Sequence, residues 1–284
     1  MTTVGFVGLG NMGSVLAANL LAAGHEVVCH DITGPERNPD GAAFEPDVGQ
    51  LAGLADVVVL SLPDGNASGA VAQAIAAAPR RRVGHVVDTS TVGVAAAQTM
   101  DELLSSVDIG LVDAPVSGGV AGARARTLSV MYAGRDEACT AVEPVLTGLS
   151  DRRRRVGDRP GMAQALKLAN NFLSATALAA TSEAIAFGTS VGLDMETMLE
   201  VIDTSSGQSA ATRDKFPNHV LTGVYAAGFA NALMTKDLKL YLGAVEAEGA
   251  PATLGRVTES VWRRFAAAEP GADFTRIYQF VVEG

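Results

Sequence analysis

The 284-residue chain is short of several things, and each shortage excludes something. It holds two cysteines, Cys29 and Cys139, far apart and in no C-x-x-C pair. That argues against a disulfide framework and a thiolate zinc site, and it fits a reducing compartment. The four histidines, His25, His30, His85 and His219, are scattered, with none three or four residues from another, so no metal site is expected. Positive charge is in deficit, with 21 Lys and Arg against 31 Asp and Glu and a net charge of −10. Nucleic acid and anionic membranes are therefore poor partners. The longest apolar region, 163–188, carries Lys167, Asn170, Asn171 and Glu183 and is too polar for a membrane span. The N-terminus shows no basic stretch followed by an apolar core and a cleavage site, so a cytoplasmic protein is the default expectation. With 48% apolar and 18% charged residues, general disorder is excluded.

What is present reads as two domains, at about 150 residues each. The first half alternates β-branched runs at 4–7, 26–30, 57–62, 85–88 and 107–112 with helical patterns at 12–23, 66–78 and 94–104. That alternation predicts parallel βαβ units, with 127–133 extending the same sheet. Beyond Pro160-Gly161 helical patterns take over. The expected fold is an α/β Rossmann-type doubly wound domain over 1–160, followed by an all-α domain over 161–284. No internal repeat or low-complexity tract is visible. The arginine runs 80–82 and 152–155 read as solvated loop faces.

Gly8, Gly10 and Gly13 form G-x-G-x-x-G directly after the first strand run and before a helical pattern. Gly8 suits the tight turn, Gly10 lets the backbone approach a pyrophosphate, and Gly13 lets helix and strand pack closely. Asp31 ends the next strand run, 23 residues after Gly8, where a carboxylate can bind the ribose 2′-hydroxyl. Such a carboxylate repels a 2′-phosphate, and Ile32 and Thr33 are uncharged, so NAD is favoured; Arg37 keeps NADP possible.

Lysine is scarce: Lys167, Lys215, Lys236 and Lys239 stand against seventeen arginines. Lys167 nevertheless lies mid-helix among apolar residues, with Asn171 four positions on and on the same face. Two readings fit. One is a polar stripe facing solvent. The other is a general acid/base, with Asn171 orienting it or binding a substrate oxygen. Asn170 and Asn171 are poor helix formers, which speaks for a side-chain role. A third segment, Asp113-Ala114-Pro115-Val116-Ser117-Gly118-Gly119, follows a strand run. Its hydroxyl and open backbone suit a carboxylate, and they equally suit an ordinary glycine-rich loop.

Together with Lys236-Asp237-Leu238, these motifs resemble, in order and over nearly the whole chain, the β-hydroxyacid dehydrogenase family. The resemblance implies a Rossmann domain joined by a long helix, starting near Gly161, to a helical domain of a homodimer or homotetramer. It implies hydride transfer between NAD(P) and a small 3-hydroxy acid or the matching semialdehyde. It assigns Lys167 as catalytic, with Ser117, Gly118, Gly119 and Asn171 on the substrate. The turn residues Gly8, Leu9, Gly10, Asn11 and Met12 fall on the cofactor with Asp31, as do Leu62, Pro63, Ser90, Thr91 and Lys236. No metal is implied. Some positions depart from the family pattern: Val92-Gly93-Val94 lacks the usual proline, Ala163 replaces a glycine, and Arg124 and Arg126 follow the Ser117 loop. These changes bear on the substrate. Asn170 stands where 6-phosphogluconate dehydrogenases carry histidine, which disfavours oxidative decarboxylation. None of the tyrosines begins Tyr-x-x-x-Lys, against a short-chain dehydrogenase. The alternatives are an imine reductase-like NADPH enzyme, which normally lacks the lysine, and a non-catalytic dinucleotide-binding protein.

Overall fold

In the computed structural model, which describes residues 2–283, the β-branched runs of the first half form a nine-stranded sheet. Its strands are β1 (Thr3–Val7), β2 (Glu26–His30), β3 (Ala43–Phe44), β4 (Val57–Leu60), β5 (His85–Asp88), β6 (Gly110–Asp113), β7 (Val116–Ser117), β8 (Ser129–Ala133) and β9 (Arg152–Gly157). The first six lie in the order β3-β2-β1-β4-β5-β6 and are all parallel. Parallel neighbours need crossovers. These include α1 (Gly13–Ala22), α2 (Val48–Leu54), α3 (Gly65–Ala77) and α4 (Val94–Ser105). The sheet order reverses between β2 and β4 around β1, so ligands are expected beyond the carboxyl ends of these strands.

Alternate residues of the strands feed two cores. Phe6, Val57 and Val59 join Leu16 and Leu20 of α1 on one face, while Val7, Val58 and Leu60 join Leu51, Ile75 and Leu104 on the other. Both faces are covered, which explains why β4 is a continuous apolar run with every residue buried. Cys29 lies in the first core, where burial pushes its thiol up to about 12. The unit is completed by α5 (Gly119–Arg124) and α6 (Asp136–Leu149). β8 pairs antiparallel with β6 and β7, and β9 parallel with β8.

Two expectations change. Residues 152–155 are not a loop but the start of β9, an edge strand whose Arg153 and Arg155 pair with Glu143 and Asp136. Charge on an edge strand discourages further strand pairing. The strand expected from 107 begins at Gly110. Residues 107–109 form a turn instead, with Asp108 at φ +60 and the N–H groups of Val107 and Ile109 donating to the Leu104 carbonyl.

The chain divides into two compact units, Met1–Lys167 and Leu168–Gly284. The first turns of the long helix α7 (Met162–Ser190) thus belong with the sheet. The second unit is helical, with α8 (Met195–Asp203), a π-helical segment Ala211–Val220, α9 (Asn231–Ala247), α10 (Thr253–Ala268), a 3₁₀ turn Phe274–Arg276 and α11 (Ile277–Glu283). Its core gathers Phe216, Trp262, Phe265 and Phe274, and the Trp262 indole N–H donates to the Ala175 carbonyl at 3.2 Å. Among the described residues no helix is long and apolar enough to cross a membrane.

Candidate active site

The three glycines of the first turn have different reasons to be glycine. Gly8 has φ +98, and a Cβ there would meet the Ser61 carbonyl oxygen at 2.3 Å. A Cβ on Gly13 would meet the Gly8 carbonyl oxygen at 1.9 Å. Packing within the protein explains both. A Cβ on Gly10 would meet nothing within 4 Å, and its φ is not positive. No atom of the described residues accounts for that glycine; the space fits a ligand that approaches the backbone. The turn leads into α1, which has no side-chain cap and no acid in its first turn, leaving its N-terminus suited to an anion.

Asp31 follows β2 beside this turn. Its carboxylate accepts from the Leu9 N–H at 2.6 Å and from the Thr33 N–H and hydroxyl at 2.8 and 2.6 Å. Burial pushes its pKa up, but these hydrogen bonds and nearby His30 outweigh it and hold the carboxyl below its ordinary value. Asp31 is therefore ionised at neutral pH and fixed in place. Ile32 is 96% exposed. Arg37 donates to the Asn11 side chain at 2.8 Å, which brings it to the glycine turn.

At the ends of the next strands, the Leu62 N–H donates to the Ser90 hydroxyl at 2.8 Å, tying the segment after β4 to the segment after β5. The Asp64 carboxylate accepts from the Ala67 N–H and starts α3 directly after Pro63. The turn holding Thr91 closes on Gly93, at φ +91, ahead of α4.

α7 overturns the solvent-facing reading of the lysine helix. Gln164 is 0%, Lys167 7% and Asn171 6% exposed, whereas Leu166, Leu173 and Phe187 of the same helix are exposed. The Gln164, Lys167 and Asn171 stripe is turned inward, beside buried Leu168, Ala175 and Leu178, and is not a solvated polar face. The start of α7 is anchored by Asp113, whose Oδ2 accepts from the Gly161 and Gln164 N–H groups at 3.1 and 2.9 Å. Burial, with Asp88 close by on β5, pushes the Asp113 carboxyl up to about 7 against those two hydrogen bonds. Its Oδ1 is buried without a hydrogen-bond partner among the described residues.

Ser117 ends β7, and Gly118 and Gly119 follow at φ +131 and +65. Backbone conformation accounts for both glycines. Arg124 is exposed, and Arg126 donates to the Thr147 carbonyl. In the second unit, the Asn171 amide donates to Asp237 at 2.6 Å, and Lys236 pairs with Asp237 at 3.2 Å. The structure thus brings Asn171 and Lys236 to one carboxylate.

Sequence reasoning singled out neither Asp113, Gln164 nor Asp237 as a site residue. The signal for Gln164 was its spacing: 164, 167 and 171 stand three and four apart, the period of one helix face.

A backbone turn with open space at Gly10, beside a fixed carboxylate, suits a nicotinamide dinucleotide. A buried lysine suits the proton transfer that accompanies alcohol–carbonyl interconversion. The class is a nicotinamide-dependent dehydrogenase. Two family profiles match the chain. One is described as the NAD binding domain of 6-phosphogluconate dehydrogenase, over residues 3–157. The other is described as NAD-binding of NADP-dependent 3-hydroxyisobutyrate dehydrogenase, over residues 161–281. The chain is 35% identical to the 3-hydroxyisobutyrate dehydrogenase of Pseudomonas aeruginosa, covering 98% of this chain and 97% of the relative. It is also 35% identical to 2-(hydroxymethyl)glutarate dehydrogenase of Eubacterium barkeri, over 85% and 81% of the two. The solved structure of Mycobacterium tuberculosis 3-hydroxyisobutyrate dehydrogenase with L-serine superposes with a TM-score of 0.92 at 33% identity, covering 99% of both chains. The chain belongs to the β-hydroxyacid dehydrogenase family and is an NAD(P)-dependent oxidoreductase.

Proposed function

We propose that the protein interconverts a small 3-hydroxy acid and its semialdehyde, with NAD preferred over NADP. The observation that carries this reading is the inward polar stripe of α7, which buries Lys167 and Asn171 on one helix face. The compounds named for the relatives all carry a hydroxymethyl group on the carbon next to a carboxylate. A substrate of that shape needs an anion site, an alcohol-side proton carrier and a cofactor.

Residues of the first turn, 8–12, hold the pyrophosphate, and Asp31 accepts from the adenosine ribose. Leu62, Pro63 and Thr91 line the cofactor, and Lys236 reaches it. NAD, when bound, supplies the hydride acceptor or donor. Lys167 takes the hydroxyl proton during oxidation and returns it during reduction. Ser117, Gly118 and Gly119 bind the carboxylate through hydroxyl and backbone N–H groups, and Asn171, held by Asp237, orients the substrate. Asp31 supports NAD because a fixed, ionised carboxylate opposes a 2′-phosphate. Residues 1–160 serve the cofactor, and 161–284 serve substrate and self-association. Exposed Leu173, Phe187 and Val191 support a homodimer or homotetramer. A cytoplasmic location fits two buried thiols. Lys167 speaks against an imine reductase.

The test is turnover with NAD across a panel of 2-substituted 3-hydroxypropanoates. Lys167→Ala should retain NAD binding and lose about 10²–10⁴-fold or more in kcat, and Lys167→Arg should not restore it, because a guanidinium keeps its proton. Near-wild-type turnover by Lys167→Ala would end this reading.

A further inference from the structure

We infer that Gln164 is a positioning residue for hydride transfer, holding the 90–93 turn, and Thr91 with it, in register with the helical turn that carries Lys167. The inference rests on the cofactor and lysine roles proposed above.

The Gln164 side chain is wholly buried, and its amide is used at both ends. Its Nε2 donates to the Ser90 carbonyl at 3.0 Å, and its Oε1 accepts from the Val92 and Gly93 N–H groups at 3.0 and 3.1 Å. These contacts bracket Thr91 on both sides. Three buried bonds from one side chain fix the peptide planes before and after Thr91, so they fix where Thr91 points. Gln164 lies three residues before Lys167, on the same face one turn earlier. Its backbone N–H donates to Asp113 at the end of β6, the strand that leads toward Ser117. One residue therefore joins the turn expected at the cofactor, the strand that feeds the substrate loop, and the helix bearing the proton carrier. All of these lie in the first compact unit.

A purely structural role is the competing account, since Val92 and Gly93 would otherwise bury unpaired N–H groups. The two accounts differ in what they move. A structural amide protects the fold; a positioning amide also sets cofactor affinity and the hydride-transfer step.

The experiment is Gln164→Met in the full chain. It keeps length and the backbone bond to Asp113 while removing the three side-chain bonds. Melting temperature, NADH dissociation constant, kcat and the primary deuterium isotope effect are measured well below the melting point. We expect NADH binding to weaken several-fold. On a turned-over hydroxy acid, kcat should fall about 10- to 100-fold, the scale of a misplacement near 1 Å, with a larger isotope effect. A lower melting temperature with unchanged NADH affinity overturns the inference. If Gln164→Met does not fold, Gln164→Asn decides on the same NADH criterion, because its amide falls one methylene short of the turn. If wild-type protein turns over no 3-hydroxy acid, the substrate reading fails while the NADH measurement still decides the role of Gln164.

Discussion

Asp113→Asn offers a test in which magnitude and sign both follow from the geometry. Asp113 is buried, accepts two backbone N–H bonds through Oδ2, and titrates near 7 rather than its ordinary 3.8. A carboxyl raised in the folded state keeps a proton that the unfolded chain has lost between those two values. Its stabilising contribution is therefore full below about pH 3.8 and is lost as pH rises through 7. At about 1.36 kcal/mol per pH unit, the full loss is on the order of 4 kcal/mol. Asparagine cannot ionise, and its amide oxygen can accept from the same Gly161 and Gln164 N–H groups. The stability of Asp113→Asn relative to wild type should thus rise by about 1–4 kcal/mol between about pH 4.5 and pH 8.5. Urea midpoints by circular dichroism at several pH values measure this. Wild-type and variant curves that stay parallel across the range would show that Asp113 does not titrate there and refute the reasoning.

Asp31→Ala should narrow the preference for NAD over NADP in kcat/KM by removing repulsion of the 2′-phosphate; a wild-type preference for NADP would contradict the role of Asp31. Gly10→Ala should fold as well as wild type or gain about 0.4–1 kcal/mol, yet lose NADH binding, whereas Gly13→Ala should cost about 1–3 kcal/mol because its methyl meets a backbone oxygen. Calorimetry with and without NADH separates the two. Ser117→Ala should raise KM for the hydroxy acid while leaving NADH affinity unchanged, and equal loss of NADH binding would move the loop to the cofactor.

The central strands were legible because β1, β2, β4 and β5 are β-branched runs that a doubly covered sheet requires. β3 and β7, at two residues each, are too short to leave a pattern. β9 was hidden because its arginines imitate a solvated loop; an edge strand can carry such charge where a central one cannot. Gly8, Gly10, Gly13 and Asp31 were visible through spacing. Whether the Lys167 stripe faced solvent or the interior was not, because helical period fixes which residues share a face but not where that face points. The side-chain hydrogen bonds of Gln164 join residues 71 to 74 positions apart, which no local pattern encodes.

The contrast among the three glycines of the first turn has an evolutionary consequence. Gly8 and Gly13 are held by the architecture, and any descendant that keeps this sheet and helix must keep them. At Gly10 no atom of the described residues stands where a side chain would go. A lineage that stopped using a dinucleotide would be released at that position first, accumulating side chains there while the other two stayed glycine. The middle glycine is thus the position at which a descendant's sequence would record loss of the cofactor while the fold persisted.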